Sequence, residues 1–261
     1  MNEHERVQRV ADILIGARND HTALEPFDAD IAPQTEAEAN AVDDLVAEIS
    51  GWTAAGWKIG CTSEHAQQML GASGPFAGRV YSVFDSGSTL GPAELMNEPN
   101  LEGEFAFTLG SDLTASTGGH HRDDVIAAAA NVRPVIEIVG GRFIQFVGAP
   151  LFNLISDAGA NSHLILGDPV PLSDAEALAG FGATMTVNGE RSGGGVGADV
   201  LGSPIDALTW LANHLSGRGI SLRAGEVITT GTATQVSPFP PGATAVAELE
   251  NIGPVTLHRA G

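Results

Sequence analysis

The sequence predicts a strand-rich α+β fold, a sandwich or rolled sheet behind N-terminal helices. Three observations carry this. From about residue 57 onward, short apolar runs alternate with Gly, Pro, Asn and Asp, the texture of strands joined by turns. The chain holds 33 glycines in 261 residues, enough for many turns and close backbone approaches. The inserted helical stretches do not alternate regularly with the strands, which argues against a doubly wound βαβ sheet. With 43% hydrophobic residues the chain can bury a sizeable core. It divides into an N-terminal helical segment, residues 1–55, and a main β domain, residues 56–261.

The elements follow in order. Residues 3–17 place Val7, Val10, Ile13 and Leu14 on one helical face. Pro26 and Pro33 bracket an irregular stretch. Thr35 with Glu38 has the spacing of a capping box and opens a helix to about Ser50. Strands are expected at 57–60, 80–83, 101–109, 135–139, 162–166, 183–187, 226–229, 245–249 and 255–258. Asn188-Gly189 is a hairpin turn signal. A short helix is expected at 123–130 and a clearer one at 203–216. In the latter Ser203 can cap the N-terminus, Pro204 suits the first helical position, and Leu208, Leu211, Ala212 and Leu215 form the buried face.

Charge and cysteine usage exclude several functions. A net charge of −20 makes nucleic acid and anionic membrane surfaces poor partners. The single cysteine, Cys61, permits no intrachain disulfide, which fits a reducing compartment. The opening MNEHERVQRV has neither a basic nor an apolar signal region, and no apolar run reaches membrane-spanning length. A soluble cytoplasmic protein is expected.

Five stretches could carry chemistry. In NLEGEFAFTLG, residues 100–110, strand alternation points Glu102 and Glu104 the same way. A half-buried strand with a wet acidic face would account for that alone. In RPVIEIVGG, residues 133–141, Glu137 stands in a run apolar on both faces. A buried carboxylate there needs an ion pair, with Arg133 or Arg142, or a metal. Joined to Glu102 and Glu104, it makes an all-oxygen set suited to Mg²⁺ or Mn²⁺. In AAGWKIGC the only lysine among 12 basic residues, Lys58, lies inside an apolar strand. It either snorkels to the surface or acts as a compact ammonium that binds a carboxylate or exchanges a proton, which arginine does poorly. In CTSEHAQQMLG, Ser63 can cap a short helix whose first turn offers Glu64 and His65 as an acid–base pair. In VITTGTATQV a strand runs into a Gly/Thr loop able to donate to a carboxylate. The GGGVGADVLG run lacks the order and context of a dinucleotide-binding turn.

Together these pieces resemble the fumarylacetoacetate hydrolase superfamily, most closely its branch of 2-keto-4-pentenoate hydratases and 4-oxalocrotonate decarboxylases. The matching pieces are GWKIGCTS, EGEFAF with the later PVIEIV, LISDAGANSHLILG, GADVLGSPIDALTWLANHL and LRAGEVITTGT. The resemblance implies a mixed β-sandwich roll assembled as a homo-oligomer. It implies that Glu102, Glu104 and Glu137 hold Mg²⁺ or Mn²⁺, that Lys58 lies in the active site, and that Thr230, Gly231 and Thr232 help hold a small anionic 2-oxo acid. It implies chemistry through an enolate stabilised by the metal, as in aromatic catabolism. A 2-keto-4-pentenoate-type hydratase comes first. A C–C hydrolase of dioxo acids using Glu64 and His65, a 2-oxo acid decarboxylase, and a non-catalytic homologue are the alternatives. Two departures stand out. Phe76, at the substrate end of GPFAGRVY, replaces the aspartate of a Pro-Asp-aromatic-Gly pattern. Ala158 and Ala160 replace the Asn and Ser that follow the aspartate at Asp157. Both changes remove polar groups that could handle a water molecule.

Overall fold

The computed structural model of the protein describes residues 1–144 and 148–261. In chain order its elements are α1 (Glu3–Asn19), α2 (Glu36–Ile49), β1 (Gly56–Gly60), α3 (Glu64–Leu70), β2 (Phe76–Val80), β3 (Val83–Asp85), β4 (Ser88–Leu90), β5 (Asn100–Leu109), α4 (Arg122–Ala128), β6 (Ala129–Val139), α5 (Leu151–Ser156), β7 (Asn161–Leu166), β8 (Val170–Pro171), β9 (Gly182–Val187), β10 (Glu190–Val196), α6 (Pro204–Gly217), β11 (Val227–Thr232), β12 (Ser237–Pro238), β13 (Thr244–Leu249) and β14 (Gly253–Arg259). None of the described helices is long and apolar enough to cross a membrane.

Two mixed sheets form the body. The larger runs β2-β1-β11-β5-β6-β7-β3, with β12 added to β5 and β8 to β6; the smaller runs β10-β9-β13-β14-β4. The order of the larger sheet dictates its shape. β2 and β3 sit at opposite edges, yet only Tyr81 and Ser82 separate them in sequence. Two residues span only about 7 Å, so the sheet must curl until its edges meet. Leu164 of β7 donates to the Ser82 carbonyl at that seam. The result is a roll with an interior.

Each face of the roll has its own cover. On the outside, Trp57, Ile59, Phe105, Phe107 and Ile228 pack against Ile205, Leu208, Leu211 and Leu215 of α6. Helix α6 forms there because Ser203 caps it, accepting from the Ile205 amide, and Pro204 occupies its first turn. Farther along the same strands, Leu101, Ile136, Ile138 and Ile165 meet Met185, Ala245, Ala247, Val255 and Leu257 of the smaller sheet. Inside the roll, Val80, Ala106, Val135, Leu164 and Val227 form a separate apolar plug. The N-terminal helices close one end, where Val10, Leu14, Val42 and Val46 pack on Val139, Phe143 and Leu154.

Three local expectations need correction. The expected helix at 123–130 ends at Ala128, and Ala129 and Ala130 open β6. The strand expected at 80–83 is instead the seam itself: β2 ends at Val80 and β3 begins at Val83. Thr35 caps α2 by accepting from the Glu38 amide, but the reciprocal half of a capping box is missing, because the Glu38 carboxylate is taken by Arg6 and the Gln34 amide.

Candidate metal centre

Strand pairing builds the site. β5 and β6 are antiparallel with Glu102 directly opposite Glu137, and directly opposed residues share a face. Glu104 is two residues along and on that same face. β1 and β11 are parallel with Lys58 opposite Thr229, and Thr229 is opposite Ala106 of β5. So Lys58, Thr229, Glu102, Glu104 and Glu137 all point into the roll. That geometry excludes the wet acidic face and the snorkelling lysine. Glu104 and Glu137 are 0% exposed and Lys58 is 3% exposed, while Glu102 is half-buried.

One carboxylate oxygen from each of Glu102, Glu104 and Glu137 lies within 4.8 Å of the others. Lys58 Nζ stands 3.5 Å from Glu137 Oε1. Glu137 therefore pairs with neither Arg133 nor Arg142; Arg142 is bound to Asp157. Three like charges this close repel by on the order of 3 kcal/mol per pair at an effective dielectric near 20. Burial and the charge of Glu137 push the Glu102 carboxyl up to about 7, against the pull of Lys58. Burial, then Glu137 and Glu102, also push Glu104 well above the usual carboxylate range. Burial draws the Lys58 ammonium down, but Glu137, Glu102 and Glu104 together outweigh it, and its pKa is raised.

The donor set fits a divalent cation. Glu104 Oε1 and Glu137 Oε2 are buried with no hydrogen-bond partner among the described residues, an arrangement that costs free energy until a cation or proton occupies it. One lysine cannot balance three carboxylates; a doubly charged ion with that lysine can. All donors are oxygen, as hard divalent cations prefer. The other oxygen of each of these two carboxylates is held. Glu104 Oε2 accepts from the Thr229 hydroxyl and from the Gly231 amide at 2.8 Å. Glu137 Oε1 accepts from Asn161 Nδ2 at 2.8 Å.

The other candidate residues are placed as follows. Phe76 lies on the inward face of β2, with its ring centroid 5.5 Å from Lys58 Nζ. Gly60 and Gly159 lack the Cβ that would strike that ring. The expected Gly/Thr loop is instead the irregular end of β11 itself: the Thr230 hydroxyl is spent on the Phe105 carbonyl and the Gly231 amide on Glu104, while Thr232 stands opposite Glu104 after a register shift. Glu64 and His65 occupy the first turn of α3, capped by Ser63, and both are exposed with no hydrogen bond between their side chains. The structure brings Lys58 and the three glutamates together and leaves Glu64 and His65 on the solvent side of their helix.

Sequence reasoning missed Thr229 and Asn161. Thr229 was findable, since it alternates with Val227 on a strand flanking the glutamates. Asn161 was not. It reaches Glu137 because residues 157–160 form a tight turn pinned by Arg142, which donates to Asp157 Oδ1 at 2.5 Å and to the carbonyls of Asp157 and Asn161 at 3.0 Å. Within that turn Ala158, Gly159 and Ala160 have φ of 52°, 65° and 63°. Left-handed backbone at two alanines is strained, and such strain gathers at functional sites.

Comparison with known proteins fits this geometry. A sequence model described as fumarylacetoacetate (FAA) hydrolase, C-terminal, matches residues 60–258. The chain is 33% identical to 2-hydroxyhexa-2,4-dienoate hydratase of Comamonas testosteroni over 218 residues, 81% of this chain and 80% of that enzyme. It is 32% identical to 2-keto-4-pentenoate hydratase of Paraburkholderia xenovorans over 203 residues, 77% of this chain and 74% of that enzyme. The solved structure of 4-oxalocrotonate decarboxylase from Pseudomonas putida, complexed with magnesium and adipate, matches with a TM-score of 0.89 at 27% identity, covering 98% of each chain.

Proposed function

Because the chain belongs to the fumarylacetoacetate hydrolase family, we propose that it is a divalent-metal-dependent hydratase of short 2-hydroxydienoic acids, of the 2-keto-4-pentenoate type. The observation that carries this reading is the buried cluster of Glu102, Glu104, Glu137 and Lys58, in a chain alike to dienoate hydratases over most of its length. The three glutamates would hold Mg²⁺ or Mn²⁺. When bound, the ion supplies Lewis-acid polarisation of the substrate's oxygens and stabilises negative charge developing there.

The chain's own residues do the rest. Lys58 Nζ, held charged by the carboxylates around it, can pair with the substrate carboxylate or deliver a proton to carbon. Asn161 and Thr229 fix the orientation of Glu137 and Glu104. Phe76 and the backbone of Gly159 pack on the Lys58 stem and shield it from water.

One observation favours a second reading. Beside Lys58 the wall is an aromatic ring and a glycine, which offer no side chain to activate water. Loss of CO₂ needs proton delivery but no such group, so 2-oxo acid decarboxylation is the alternative, in line with the name of the full-length structural match. The C–C hydrolase reading has no supporting group at the cluster, because Glu64 and His65 face solvent.

The test is product NMR after incubation with Mg²⁺ and either 2-hydroxypenta-2,4-dienoate or 2-oxohex-3-enedioate, with and without chelator. A chelator-sensitive 4-hydroxy-2-oxo acid establishes the hydratase. CO₂ release from the second substrate establishes the decarboxylase. Metal binding with no turnover of either overturns both in favour of a non-catalytic homologue.

A further inference from the structure

A second cavity, of about 450 Å³, lies behind the metal cluster and is lined by Arg18, Trp52, Tyr81, Arg142 and His163 among others. That size suits a small organic molecule. It is separated from the cluster by the Asp157–Asn161 turn. The two sides of Asn161 mark the division: its side chain reaches Glu137 inside the roll, while its carbonyl accepts from Arg142 at 3.0 Å and from Arg18 at 3.5 Å on the cavity side.

Arg18 is the unusual group. In a chain with 32 acidic residues, this half-buried guanidinium has no ion-pair partner among the described residues. The nearest acids are committed elsewhere: Asp157 to Arg142 and Asp43 to Arg79. Arg18 instead lies over the Trp52 ring at 5.1 Å and the Tyr81 ring at 5.2 Å. Burial and the neighbouring Arg142 bring its pKa down to about 9, the sign of a positive charge lacking compensation. Tyr81 contributes its ring to the lining, while its hydroxyl is shielded from solvent, with no hydrogen-bond partner among the described residues. Two other groups of the lining are engaged: His163 bonds through both ring nitrogens, to Ser82 Oγ and the Glu94 carbonyl, and Glu94 Oε2 accepts from the Gly91 amide.

We infer that this cavity is a binding site for a small organic carboxylate with a flat apolar body, its carboxylate on Arg18 and its body against Trp52. A planar guanidinium is matched to a carboxylate. An aromatic wall beside it selects a flat ligand over an inorganic anion. The site needs no metal ion, and the inference stands whichever reaction the cluster performs.

Benzoate is the probe and neutral benzamide its control, with the Trp52 indole N–H followed by NMR on the full-length protein. Benzoate should produce a saturable shift that persists with chelator present, and benzamide should not. Arg18→Met should weaken benzoate binding by about tenfold or more, as expected for loss of a charge-assisted pair, while Arg18→Lys, which keeps the charge but not the planar fork, falls between Arg18→Met and the parent. Should Arg18→Met fail to fold, the benzoate–benzamide contrast and Arg18→Lys decide alone. Equal binding of benzamide, unchanged binding by Arg18→Met, or no saturable shift overturns the inference. A shift abolished by chelator also overturns it, because the anion then sits at the metal cluster.

Discussion

At the scale of single residues, the cluster ties metal binding to protonation. Glu102 titrates near 7 in the metal-free fold because it is buried against Glu137. A cation must displace that proton. Metal affinity should therefore fall by at least about tenfold per unit as pH drops below 7, and more steeply wherever Glu104, whose carboxyl is also raised, holds a proton too. Calorimetric titration across pH 5.5–8.5 checks this; an affinity flat through that range would mean that Glu102 is not a ligand. The stability of the metal-free protein follows the opposite sign. A carboxyl whose folded pKa is raised contributes stability below its unfolded value, about 4.3, and that contribution is lost as pH rises towards 7. Glu104→Gln removes one charge from the cluster while keeping an amide in its place. It should cost at least about 100-fold in metal affinity, more than a supporting residue would. It should also raise the melting temperature of the metal-free protein, because a buried carboxylate without a balancing ion is a liability.

At the scale of elements, the turn Ala158–Ala160 joins the backbone to the chemistry. A Cβ on Gly159 would lie 2.9 Å from the Phe76 ring and 3.0 Å from Lys58 Cε, on a residue with φ of 65°. Gly159→Ala should destabilise the protein by roughly 2–4 kcal/mol, from left-handed strain and overpacking together. It should lower turnover as well by pushing the Lys58 stem. Urea unfolding beside a rate assay reads both, and a variant as stable and active as the parent would show that the turn is not held against Lys58. The sequence made some of this legible. Alternation in NLEGEFAFTLG and the apolar run around Glu137 located β5 and β6, because both strands carry their burial in their side chains. β10 was not legible as a strand. Its glycines at 193 and 195 exist because the carbonyls of Thr234 and Ala233 press where a Cβ would stand, a tertiary contact that leaves no periodic signal. α5 was missed for a similar reason: at six residues it is too short for helical periodicity to separate it from an apolar strand. The departures at Phe76, Ala158 and Ala160 were visible as residues. Their consequence, a water-poor wall beside Lys58, needed the register of β1 with β2 to place Phe76 opposite Gly60.

At the scale of the whole molecule, the roll concentrates charge that the fold alone does not neutralise. The two edge strands meet at Tyr81 and Ser82, which closes the interior around Lys58 and the glutamates. The chain as a whole carries −20, so neighbouring acids give the cluster no relief. A divalent cation bound only by the folded state should therefore act as a structural brace across β5 and β6 as well as a reagent. At a free concentration 100 times its dissociation constant it adds about 2.7 kcal/mol. For a chain of this size each kcal/mol raises the melting temperature by about 2–4 °C, so Mg²⁺ should add about 5–11 °C. The sign with pH follows from the cluster: the shift at a fixed Mg²⁺ concentration should be larger at pH 8 than at pH 6, where Glu102 holds its proton. Differential scanning calorimetry with ionic strength matched by NaCl separates this from general screening of the acidic surface. Glu104→Gln supplies the decisive comparison. If it loses the Mg²⁺-dependent shift, the ion binds in the roll; if it keeps the full shift, the stabilising ion lies elsewhere and the three glutamates are not its site.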